Sequence, residues 1–194
     1  MRKLFLLSAV FISGCAGGPP PPAWQANAKF SLDAFQQAYL RGDTRVADAE
    51  FARAKAELQS TGRADLVARA ELIRCAARAA SLEFDSCPGF EKLRADAGAE
   101  ELAYADFLSG KNERAATEDP LSRLVSHAVK FNSGKATPEN ISASIDIASS
   151  QGWRRPLLAW LGVQHKRAEA AGDREAAERL RRRIEIVTGA SGKS

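Results

Sequence analysis

Residues 64–84 constrain the fold of this chain more than any other stretch. Leu66, Ala70, Ile73, Ala77, Ala80 and Phe84 recur at helical spacing, and Leu72, Ala76, Ala79 and Leu82 widen the same stripe. Only Glu71, Arg74, Arg78, Ser81 and Asp85 trace a polar strip. A helix with so narrow a wet face must be packed on several sides. The rest of the chain therefore has to supply layers around it.

Those layers read as more helices. Residues 43–59 put Ala47, Phe51, Ala54 and Leu58 on one stripe, with Asp48, Glu50, Arg53, Lys55 and Glu57 largely away from it. Helical patterns follow over about 99–109, 120–132, 138–150, 154–171 and 173–187. Thr137-Pro138 predicts a helix start, with Thr as N-cap and Pro at the first helical position, and Pro120 and Pro156 fit first turns. No segment alternates as a strand would. The expected fold is all-α: stacked antiparallel helical hairpins, arranged either as an α-solenoid or as a compact helical bundle.

Three turns share a local pattern. Gly42-Asp43 is followed by Ala47, Gly110-Lys111 by Ala115, and Gly172-Asp173 by Ala177. Glycine stops a helix in the left-handed conformation, an aspartate after it caps the next, and the alanine permits close helix approach. The glycines are 68 and 62 residues apart, and 68 is twice the 34-residue tetratricopeptide period. Gly42, Ala47, Phe51 and Ala54 resemble the second-helix positions of that repeat. The third copy keeps Gly172, Ala177 and Ile184 but carries Arg181 where a large apolar residue belongs. The middle copy is interrupted after Ala115 by Asp119-Pro120, and the usual first-helix Trp, Leu-Gly and Tyr are out of register throughout. The chain thus resembles a degenerate set of tetratricopeptide-like hairpins over about half its length.

The N-terminus carries a different message. Met1-Arg2-Lys3 is positive, Leu4 to Ile12 is apolar but too short to span a bilayer, and Ser13-Gly14 precedes Cys15. Ile12-Ser13-Gly14-Cys15 resembles the lipobox of bacterial lipoproteins. The resemblance implies that residues 1–14 are a signal peptide and that Cys15 is acylated. With Ala16 rather than aspartate next, it also implies sorting to the periplasmic face of an outer membrane. Several acyl chains anchor a protein stably without a transmembrane helix. Residues 15–23, with Gly17, Gly18 and Pro19 to Pro22, read as a tether. An all-helical domain is then expected over 24–187 and a fraying tail over 188–194.

Assigning Cys15 to lipid leaves Cys75 and Cys87 as a pair in a compartment where disulfides persist. A bridge of this spacing contributes about 3 kcal/mol in the chain-entropy model. Processing also removes Arg2 and Lys3, so 26 basic residues face 24 acidic ones in place of 28 against 24. That balance gives little support to a nucleic-acid role.

The sequence is poor in chemistry. His127 and His165 are the only histidines. Ser126 and His127 are adjacent, and neighbours on a helix point about 100° apart. His165 fits a packed structural role. No phosphate loop, dinucleotide fingerprint or His-Glu-x-x-His occurs, so no catalytic residue, metal or cofactor is expected. Two features suit binding: the basic run Arg181, Arg182 and Arg183 with Arg179, and the aromatic-basic cluster Trp153, Arg154 and Arg155 with Trp160. The sequence therefore points to a membrane-anchored, non-enzymatic envelope adaptor that binds another envelope protein. Its rivals are a cell-wall or small-molecule binding lipoprotein with an internal cavity, and a lipid-tethered structural protein that self-assembles, the oligomeric state being open.

Overall fold

A computed structural model describes residues 22–113 and 117–189. Cys15, the proposed signal peptide, most of the tether, Ala115 and residues 190–194 lie outside the described residues.

Several helices begin or end for a local reason. Helix α1 (Ala23–Arg41) stops at Gly42, whose φ of 91° lets Asp43 donate its N–H back to the Ala38 carbonyl. Asp43 then accepts from the Val46 N–H and opens α2 (Thr44–Gln59). One Gly-Asp pair both ends a helix and starts the next. Gly172-Asp173 repeats the device between α8 (Arg154–Ala170) and α9 (Arg174–Thr188). Helices α6 (Pro120–Asn132) and α7 (Pro138–Ser150) begin at their expected prolines, and Thr137 forms a capping box with Asn140.

The remaining elements are α3 (Ala64–Ala80), the single turn α4 (Pro88–Glu91), a short 3-10 turn (Arg94–Asp96) and α5 (Ala99–Leu108). No strand occurs among the described residues. The expected long helix over 64–84 stops four residues early. Leu82 adopts a left-handed φ of 60°, and Glu83 donates its N–H to the Arg78 carbonyl. This is the turn that Gly42 makes, built here without glycine. Its backbone cost of about 1–2 kcal/mol is offset by Leu82 and Phe84 packing on the core.

Helix α3 is the centre of the molecule. Val67, Ala70 and Ala77 pack with Phe35, Tyr39 and Phe51 of the α1–α2 hairpin. Ala76 and Ala80 join Leu124, Ile145, Trp160 and Leu161 from α6, α7 and α8. Ala68 and Leu72 meet Phe90 and Ala105. Alanine-rich surfaces let helices approach on three sides, as the narrow polar strip required. In an open stack of repeats each hairpin touches only its neighbours. Here α8 also contacts α1, so the helices close into a compact bundle.

The Cys75–Cys87 disulfide, with Cα atoms 5.8 Å apart, ties α3 to the residue that precedes α4. Beside it Glu71 is buried, and its carboxylate meets Lys55 from α2 at 2.8 Å and Arg74 at 2.7 Å.

Candidate functional site

A groove runs along one side of α1, facing α3 and the start of α6. It consists of three adjoining cavities that share the half-buried Gln36. The first, about 540 Å³, lies between Trp24, Leu32, Leu58 and Leu66. The second, about 320 Å³, enters between α3, α5 and α6. The third, about 310 Å³, reaches Leu40, Leu121 and Trp153. From Trp24 to Leu40 the wall spans roughly 24 Å at 1.5 Å per helical residue.

The floor is apolar. Trp24, Leu32, Leu66, Ile73, Leu121 and Trp153 are each only half-buried and pack on the core beneath. The rim is polar. Lys29 pairs with Asp33 at 2.5 Å, and Arg69 holds the buried Glu101 carboxylate at 2.6 Å while reaching Glu100 at 3.5 Å. Asp119 caps α6 by accepting the Ser122 N–H at 2.7 Å. The side-chain amides of Gln36, Gln37 and Gln151, and the Trp153 indole N–H, make no hydrogen bond among the described residues.

The expected binding residues fall in three environments. Trp153 lines the third cavity and bridges two core clusters. Arg154 is exposed beside the Gly42 turn. Arg155 is committed internally: its Nε donates to the Tyr39 carbonyl at 2.8 Å, Nη2 to Thr44 Oγ1 at 2.6 Å and Nη1 to Glu83 at 3.2 Å. On α9, Arg181 pairs with Glu178 and Glu185, and Arg182 with Glu178 at 3.3 Å. Those arginines hold the Glu178 carboxyl down to about 2. Arg183 reaches Ser149 at 3.4 Å. The basic run is thus largely neutralised by its own helix.

Each histidine has a local partner. His127 Nδ1 lies 3.0 Å from Ser144 Oγ, and that hydroxyl donates to the Asn140 carbonyl at 2.7 Å. With the Ser144 hydroxyl hydrogen directed at the Asn140 carbonyl, the His127 contact is made by the tautomer that carries its proton on Nδ1. His165 pairs with Glu169 at 3.4 Å. Among the described residues no cluster of His, Cys, Asp or Glu could hold a metal ion, and no helix is long and apolar enough to cross a membrane.

Gln36, Arg69, Glu100, Asp119 and Leu121 were not singled out by sequence. A half-buried groove floor has the same periodicity as a core stripe. The available signal was Gln36, an amide one turn from Leu32 and close to the apolar face of α1. No protein-family model, curated protein or solved structure matches this chain.

Proposed function

We propose that this protein is a lipid-anchored, non-enzymatic adaptor of the bacterial envelope that holds a segment of a partner protein in the α1–α3 groove. The carrying observation is that three adjoining cavities lie along α1 and share Gln36, with half-buried apolar residues beneath and a polar rim. Recognition surfaces combine those properties, with little reactive chemistry of their own. The lipobox-like start at Cys15 supports attachment to a membrane, with outer-membrane sorting as the expected outcome. The tetratricopeptide-like reading rests on the sequence resemblance at Gly42, Ala47, Phe51 and Ala54.

A small-molecule role is the second reading, favoured by the 320 Å³ cavity, which lies in the usual size range for such sites. That cavity adjoins the other two along α1, which favours a longer occupant.

The test is photo-crosslinking in whole envelopes. A photoreactive residue at Gln36 should trap a discrete protein. The same residue at Phe30, which is 73% exposed and lines none of the three cavities, should not. Bait alone, or identical adducts at both positions, rejects the groove. In parallel, Cys15→Ser should move the protein out of the membrane fraction, and retention there rejects the lipid anchor.

A further inference from the structure

We infer that the occupant of the groove is an extended peptide segment, and that one of its lysine or arginine side chains enters the cavity between α3, α5 and α6. This inference rests on the groove reading above and specifies its ligand. Two independent observations carry it.

The first is the set of uncommitted amides. A glutamine side chain offers a donor and an acceptor together, as a peptide bond does. Gln36, Gln37 and Gln151 border the channel and make no hydrogen bond among the described residues. An extended segment has free main-chain N–H and C=O groups to meet them, whereas a helix has spent its own. The roughly 24 Å wall matches about seven residues at 3.3 Å each.

The second is the build of the cavity. Leu72, Ala76 and Val125 are buried and Ile73 is half-buried, so they form its apolar depth. Glu100, with a side chain 90% exposed, and Asp119 stand at its mouth. Among the described lining residues Arg69 is the single cation; it holds Glu101 and reaches Glu100, so one cation faces three carboxylates. The α6 N-terminus offsets part of the Asp119 charge, by about half a unit. The mouth still carries excess negative charge above apolar walls. A long aliphatic stem with a cationic head satisfies both parts, because lysine and arginine bury their stems and keep their heads polar.

The experiment uses the full-length protein in detergent micelles and a positional-scanning library of capped nonapeptides. Each position is fixed in turn as lysine, arginine, norleucine or glutamate. One position should favour lysine or arginine over norleucine by about tenfold, and the preference should shrink as salt rises. Glu100→Gln with Asp119→Asn should bring lysine and arginine peptides down to the affinity that norleucine peptides show for the same variant. Asparagine is also a good N-cap, so α6 keeps its start. Binding without a cation preference, or a preference that survives the double variant, overturns this inference alone. Failure to bind any peptide overturns it together with the groove reading.

Discussion

The guanidinium of Arg155 lies 4.2 Å from the centre of the Tyr39 ring while its Nε donates to the backbone carbonyl of the same tyrosine. The two residues are 116 positions apart, and the contact joins the end of α1 to the start of α8. Thr44 accepts from Nη2 and Glu83 from Nη1, so one side chain clasps α1, α2, the turn after α3, and α8. Burial, with the Glu83 carboxylate beside it, pushes the Tyr39 hydroxyl well above its ordinary value, so the ring stays neutral.

Removing this clasp should be costly. Charge-assisted hydrogen bonds contribute about 1.5–3 kcal/mol and a partly desolvated cation–π contact about 1 kcal/mol. Arg155→Ala is expected to lower unfolding free energy by about 2–4 kcal/mol in urea titration. Arg155→Lys should recover less than half, because an ammonium cannot serve three acceptors in a planar fork. Full recovery by lysine would mean that charge, not geometry, holds the joint.

The Cys75–Cys87 bridge should act on the same scale. It closes a short loop, and its loss is expected to cost about 3 kcal/mol. Cys75→Ser with Cys87→Ser should lower the melting temperature by about 10 °C for a domain of this size. Thermal unfolding with and without reductant checks this, since reduced wild type and the double variant should melt together.

His127 sets a pH dependence. Burial, with Lys130 and Arg123 nearby, lowers its pKa below the ordinary 6.5. The unfolded chain therefore takes up the proton first as pH falls. The stability held by neutral His127 is complete above about 6.5 and is lost progressively below it. Urea titrations between about pH 7.5 and pH 5 should show this loss, and His127→Gln should flatten that part of the profile. An unchanged slope in the variant would assign the acid sensitivity to carboxylates instead.

Much of this fold is legible where local chemistry decides the outcome. Gly42-Asp43 and Thr137-Pro138 carry their stop and start signals in adjacent residues, and the helices begin and end beside them. The narrow polar strip of residues 64–84 shows that α3 is central. The end of α3 is hidden because Leu82 makes a glycine's turn, held by tertiary packing that no local signal encodes. Helix α4 is a single turn whose position depends on the disulfide and on Glu71. The groove is hidden for a third reason. Ile73 and Leu66 look like core on the helix stripe, and only the tertiary arrangement leaves them half-covered beside the cavities.

Two glycines with opposite surroundings test the packing account. At Gly89 a Cβ would stand 2.2 Å from Oε2 of the buried Glu71 carboxylate, which Lys55 and Arg74 hold in place. Neither the carboxylate nor its partners can yield without uncovering a buried charge. Gly89→Ala should therefore cost about 3 kcal/mol, between the usual penalty of overpacking and that of a broken buried ion pair. At Gly162, inside α8, a Cβ would meet nothing within 4 Å. Gly162→Ala should stabilise the protein by about 0.5–1 kcal/mol, because alanine restricts the unfolded chain and favours the helix. Paired urea titrations decide the matter. If Gly89→Ala is neutral, the α4 turn is not fixed against Glu71, and the disulfide and the buried Phe90 position it.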